Sequence, residues 1–419
     1  MTRIIDNIVY QHAENACALL WQWQRALSEP HYDFNDLCLL ENSIDANLDG
    51  LTLAGDAATP FIREMHDAGD EGAVFVSAMQ ALCTDKPCAF MDQVAACQES
   101  EQTRYELSLA LTWMADQATK PILDNLAEQP GPTSLLLRLS VGLAHRQVPD
   151  HLVRSGLSHE DTRVRTAALR AVADLPDQRL RNDLPAQASH EPRECLQLAR
   201  ALVSQGEHGR GYDLLESLAL SETEQASDAV RLVMLGAEPE RSRKLLQQLD
   251  TLGDRQRDVI RGLGLLGDPG NLDRLLQACI NPQLARLAGE SISMITGARL
   301  SEHDLDRDDE VGMATSLLND DPTDDNVRLD EDENLPWPDS DRLADWCLSA
   351  VRDTSADMPL LCGYQRTAEL LQHVLQQGLQ RQRSVAADLM KSRQPGKPYC
   401  NTCLPTSRQR HFMTAMDYC

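Results

Sequence analysis

The chain is short of aromatic residues, of long apolar runs and of positive charge, and each shortage closes off a class of protein. Phe, Trp and Tyr make up only 4% of its 419 residues, against 42% apolar residues overall. Leu and Ala must therefore carry the core, which suits helix-on-helix packing better than a β-sandwich. No window reaches about 18 uninterrupted apolar residues, so no membrane insertion is expected. The opening MTRIIDNIVYQHAEN lacks an apolar stretch of signal-peptide type. Twelve Cys lie singly through helical patterns and read as reduced, buried thiols, so a cytoplasmic protein is expected. Lys and Arg number 39 against 65 Asp and Glu, a formal charge of −26. Such a balance excludes the positive footprint that nucleic acid or anionic lipid requires. No GxSxG, Walker A or HExxH string occurs, so neither an enzymatic activity nor a cofactor is expected.

What the chain does have is a period. Apolar, helix-like runs end in small or charged turns at Asp56, Lys86, Asp116, Arg146, Pro176, Gly206, Gly236, Gly267 and Gly297. The steps between them are 30 residues, with one of 31. The glycines fall where a helix C-terminus favours a left-handed residue. Each unit has room for two helices of roughly ten residues and two turns, which is a helical-hairpin repeat. One hairpin cannot bury its apolar face alone, so neighbours must stack as an α-solenoid. In the unit LSHEDTRVRTAALRAVADLPD, Val164, Ala167, Ala168, Ala171 and Val172 form the buried stripe. Arg163, Arg165 and Arg170 point outward.

The expected organisation is all-α. Residues 1–56 form an N-terminal helical cap, with one helix over 4–30 stopped at Ser28-Glu-Pro30 and a second from near Asn35 to Gly50. The solenoid fills 57–300. An acidic, proline-containing connector covers 301–345, where 17 Asp and Glu face three Lys and Arg. C-terminal helices and a basic, irregular tail complete 346–419, with one long helix from about Gln365 to Met390. Residues 381–410 carry seven Lys and Arg against Asp388 alone, so connector and tail either pair within the chain or recruit different partners.

Three groups of residues invite a metal. His159-Glu160 and His190-Glu191 lie 31 residues apart at one phase of the repeat. They are similar to the His-Glu pairs with which helical-repeat hydroxylases of the deoxyhypusine type hold two irons, but those enzymes use four pairs. The competing reading makes Ser158-His-Glu-Asp and Ser189-His-Glu-Pro helix starts with Pro192 in the first turn. Cys400, Cys403, His411 and Cys419 form a C-x2-C-x7-H-x7-C string that offers four zinc ligands, although its gaps fit no familiar finger. Asp304, Asp306 and Asp308 lack the Gly and Glu that a calcium loop needs, because Asp309 and Thr315 stand there. No metal is expected.

Partner-binding candidates are the aromatic cluster around Trp21 and Trp23, the apolar island Leu335-Pro-Trp337-Pro, and the acids Asp330, Glu331, Asp332 and Glu333. A tryptophan between two prolines is stiff and extended, and is expected to anchor in a groove on the solenoid.

QHAENACALLWQWQRAL, PHYDFNDLCLLENSIDANLDGLTLAGD, LGDP followed by LARLAGESISMITG, DEDENLPWPD and RQRSVAADL occur in that order. In this the chain resembles a family of bacterial HEAT-like repeat proteins often encoded near type VI secretion cargo genes. The resemblance spans most of the chain, and LARLAGE...ITG with LPWPD is its most specific part. It implies no catalytic residues. It implies a non-catalytic scaffold, an adaptor or chaperone whose partner is a co-encoded secreted effector or spike protein. An immunity protein that neutralises a co-encoded toxin is the alternative, and a metal-dependent helical-repeat enzyme the third.

Overall fold

The computed structural model describes residues 4–97, 100–129, 131–175, 179–307, 332–350, 358–394 and 399–416. Among these the chain is mostly helical, and its only strand pair is a short hairpin. No described helix is long and apolar enough to cross a membrane. Two compact units divide the chain, residues 1–211 with 394–419, and residues 212–393.

The 30-residue period survives as a spacing of helix ends. The helices Ala73–Cys83, Glu101–Trp113, Pro132–Ala144, Thr162–Asp174 and Pro192–Ser204 belong to the first unit. There Thr162–Asp174 packs against both Pro132–Ala144 and Pro192–Ser204, and Glu101–Trp113 packs against both Ala73–Cys83 and Pro132–Ala144. In the second unit Gln256–Leu266 packs likewise between Ala226–Gly236 and Ala285–Thr296. Within Thr162–Asp174 the interior face is Val164, Ala168, Leu169, Ala171 and Val172, with Ala167 only half-buried. Pro176 lies outside the described residues.

Arginine links neighbouring helices. Arg165, expected to point outward, instead forks onto Glu194 at 2.7 and 2.9 Å and donates to the carbonyls of His159 and Glu160. Arg200 reaches Asp174 at 2.9 Å in the same way. Of the 39 basic residues only five are Lys. The planar guanidinium suits this work, because it can meet a carboxylate and a backbone carbonyl at once.

Local chemistry sets the element boundaries. The first helix is Asp6–Ala26. The second, Phe34–Ala54, opens on a capping box in which Asp33 accepts from the amides of Asn35 and Asp36. It runs past Gly50, where a stop was expected. Gly50 is there for space, since a Cβ would come within 2.6 Å of the His12 ring. The expected long helix over 365–390 is two helices, Ala368–Gln377 and Gln380–Arg393, broken where Gly378 is extended at ψ 165°. The expected irregular tail contains the helix Thr406–Met416.

Gly262-Leu-Gly264-Leu-Leu-Gly267 has the GxGxxG spacing of a dinucleotide loop, but its first two glycines lie inside the helix Gln256–Leu266 and, among the described residues, no strand precedes it. Their role is close packing: a Cβ on Gly262 would meet Leu246 at 2.6 Å, and one on Gly264 would meet Ser291 at 2.7 Å. Gly267 and Gly297 end their helices at φ 71° and 75°, as helix-terminal glycines do. They also receive the hairpin Leu360–Leu361/Tyr364–Gln365, whose turn, Cys362-Gly363, has both φ angles positive, as a two-residue type I′ turn requires. The Leu360 amide donates to the Gly267 carbonyl at 2.7 Å, and the Cys362 and Gly363 amides donate to Met294 and Ile295.

The C-terminal part of the connector folds onto the second unit. Arg257 grips Asp332 with two bonds at 2.8 and 2.9 Å. Arg307 donates its amide to the Trp337 carbonyl, and Asp339 donates to Leu305. Leu335 is buried, and the Arg286 guanidinium lies 4.9 Å from the centre of the Trp337 ring.

Candidate functional site

The most elaborate polar site lies in the first unit, where the terminal helix Thr406–Met416 meets helices from the start of the chain. Three aromatic rings form its floor. Trp23 and Phe75 both meet Trp113 edge-on, with centroids 5.3 and 5.4 Å apart. Each indole N–H is aimed at a carboxylate, Trp23 at Glu41 (2.9 Å) and Trp113 at Asp45 (2.7 Å). A buried indole needs such an acceptor, so the rings and acids fix one another.

Glu41 is only 6% exposed. Both its oxygens accept the Thr406 amide at 2.9 Å, and the Thr406 hydroxyl adds a third bond. The carboxylate thus sits on the first turn of the terminal helix, where unpaired amides and the helix dipole favour a negative charge. Burial pushes the Glu41 carboxyl above its ordinary range, against these hydrogen bonds.

One turn on, Arg408 enters a ring of acceptors. Its Nε donates to the Thr112 carbonyl at 3.0 Å, and its two other nitrogens reach Asp116 and the Met114 carbonyl. The latter nitrogen also lies 2.9 Å from His145 Nε2. A guanidinium only donates, so Nε2 accepts and the ring proton sits on Nδ1, 3.1 Å from Asp116. Burial and the Arg408 charge hold His145 down at about 4, against the pull of Asp116. Burial raises Asp116, but the Arg408 bond and charge outweigh it, and the net shift is downward. Thr119 stands 3.5 Å from His145 Nδ1, which gives the outline of a hydroxyl, imidazole and carboxylate. Arg408 occupies the imidazole lone pair that a general base would need. The arrangement seats the terminal helix against the start of the chain.

The rest of the helix is seated by packing. Gln409 donates to the carbonyls of Thr402 and Leu404, Arg410 lies over Phe34 and contacts Cys38, and Arg146 lies over the buried Phe412.

The other candidate residues are dispersed. Trp21 is exposed with Arg25 over its ring, whereas Trp23 is fully buried in the aromatic floor. Leu335 and Asp332 are buried, Trp337 is half-buried and Glu333 is exposed; Asp330 and Glu331 lie outside the described residues. His159 Nδ1 accepts the Asp161 amide, and Asp161, rather than Ser158, caps the following helix. Glu160, His190 and Glu191 are exposed, and Pro192 opens the next helix. Cys400 is buried, Cys403 and His411 are exposed, and Cys419 lies outside the described residues. Among the described residues, no three His, Cys, Asp or Glu side chains converge as a metal site would require.

Sequence reasoning missed Glu41, Asp116, His145 and Arg408. The one local signal was Pro405-Thr-Ser before a helix-compatible run, a helix-start signature in a tail that otherwise looked irregular.

In comparison with known proteins, no family model, curated relative or solved structure matches the chain.

Proposed function

We propose that this chain is a non-catalytic, protein-binding α-solenoid, working in the cytoplasm as an adaptor or chaperone for a type VI secretion effector or spike component. The observation that carries the binding reading is that its first unit already holds a protein helix from the far end of the sequence. It does so with a buried carboxylate on the helix N-terminus and a four-acceptor ring around one arginine. The helix ends spaced by about 30 residues, and the stacking of successive long helices within each of the two units, support the solenoid part of the reading. The secretion context rests on the resemblance of the sequence segments. A formal charge of −26 favours a basic partner and speeds its encounter.

The test is affinity capture of the tagged chain from cells expressing its whole gene neighbourhood. A locus-encoded protein retained at stoichiometric level is expected. Recovery of the chain alone refutes the adaptor reading.

A further inference from the structure

We propose that the site around Glu41 and Asp116 is a recognition site for a helix beginning Pro-Thr/Ser-x-Arg, which the chain's own terminus fills as a displaceable occupant. The proposal rests on the binding function above and names the partner segment's chemistry.

The receptor half is built without the tail. Trp23, Glu41, Trp113, Asp45, Asp116 and His145 all come from the first 145 residues, and the indole–carboxylate bonds lie wholly among them. Remove the terminal helix and Glu41 keeps Trp23 as its hydrogen-bond donor while losing three bonds from Thr406. The carbonyls of Thr112 and Met114 lose Arg408. A site with buried acceptors of this kind demands an occupant, because unpaired buried polar groups are costly.

The occupant must satisfy three conditions. Its first turn needs free amides and a hydroxyl for Glu41, which Thr406 supplies and Ser would. A guanidinium must follow two residues later, since a lysine ammonium cannot serve carbonyls, carboxylate and imidazole together. An apolar side chain must follow four residues beyond that, where Phe412 meets Arg146.

The own tail is suited to leave. Ser407, His411 and Thr414 are exposed, so one face of the helix makes no deep contact. Each of its polar contacts replaces a bond to water, so its net contribution is a fraction of its strength in isolation. A tethered segment binds through an effective concentration in the millimolar range. A partner with the same motif and more apolar contact therefore competes successfully.

The probe is a labelled synthetic peptide covering residues 399–416, and the receptor is the full chain. In a Thr406→Val/Arg408→Ala double variant the chain's own tail is weakened, and the peptide is expected to bind at least tenfold more tightly than to wild type. The same peptide carrying Arg408→Ala is expected to lose that binding. The proposal is overturned if a helical, cooperatively melting double variant fails to capture the peptide, or captures both peptides equally. Should the double variant not fold, wild type is read instead: excess peptide must raise amide exchange of the chain's own residues 409–414, and unchanged protection overturns the proposal. Failure of the peptide leaves whole-cell capture of a partner elsewhere on the chain intact, so the two readings fall separately.

Discussion

Arg408 reaches His145 across 263 positions of sequence and donates to its Nε2 at 2.9 Å. The bond requires a neutral imidazole, because a protonated ring offers Arg408 a second donor and a like charge. Docking of the terminal helix and protonation of His145 therefore oppose one another.

This linkage predicts acid release of the tail. With the tail docked, His145 is held at about 4; without Arg408 and the burial it completes, the ring returns toward the ordinary value of about 6.5. The undocked state binds more protons between these values, so docking weakens as pH falls through that window. Asp116, also near His411, adds to the loss only below the ordinary carboxylate range, because its own shift is downward. At Glu41 burial raises the carboxyl while the Thr406 bonds lower it, so the tail's own contacts favour the charged form. From pH 7 to pH 5, the protection of the amides of residues 409–414, with exchange corrected for its intrinsic pH dependence, should fall roughly tenfold or more. In Arg408→Ala, NMR titration should find His145 raised from about 4 toward its ordinary value, with burial, the larger cause, still holding it below. A flat exchange profile, or an unmoved His145, removes the coupling.

Gly267 and Gly206 both have positive φ, at 71° and 83°, yet they should respond differently to alanine. Nothing lies within 4 Å of a Cβ on Gly206, so Gly206→Ala carries the left-handed backbone penalty of about 1 kcal/mol. A Cβ on Gly267 would stand 2.1 Å from the Leu360 carbonyl oxygen and 2.2 Å from Arg366. Gly267→Ala must therefore displace the hairpin and should cost about 3 kcal/mol or more. Denaturant melts of the two variants give the comparison; equal losses would mean that the hairpin yields freely.

The contrast shows which parts of the fold were legible. The helix-ending role of Gly267 and Gly297 was readable, because a C-terminal glycine is a local signal with a fixed period. Their second role as a seat for the hairpin was not, because its residues lie about 65 to 95 positions later. Gly50 misled for the same reason, since its reason for being small is His12 on another helix. Gln380 and Arg383 carry no local mark of burial, yet both are fully buried, where Arg383 donates to Gln380 and to the Leu375 carbonyl. The candidate site was almost wholly hidden. Trp23 drew notice as an aromatic, but its carboxylate partner Glu41 has no local mark, and Asp116 was read only as a turn between repeats.

Arg165 and Glu194 should behave as one unit. Glu194 is 5% exposed, and the Arg165 bond draws its carboxyl below the ordinary range. Arg165→Lys keeps the charge but cannot span Glu194 and the carbonyls of His159 and Glu160 together, so a loss of about 1–3 kcal/mol is expected. Glu194→Gln should cost a similar amount, and the double variant less than the sum. Strict additivity in the cycle would show that the pair does not cooperate in joining the two helices.

Asp332 tests how the connector is held. It is 3% exposed, and its two bonds to Arg257 are its described charged contacts. Downstream, the attachment continues through Arg307 N to Trp337 O at 2.9 Å and Asp339 N to Leu305 O at 2.8 Å. If the ion pair anchors this segment, Asp332→Ala should speed amide exchange at Arg307 and Asp339 while leaving the helix Ala285–Thr296 protected. The Arg257 side chain is 39% exposed and can turn to water, which limits the expected stability loss to about 1–2 kcal/mol. Exchange that stays slow at both amides would shift the anchoring role to Leu335, buried on the same segment, and to Trp337 beneath Arg286.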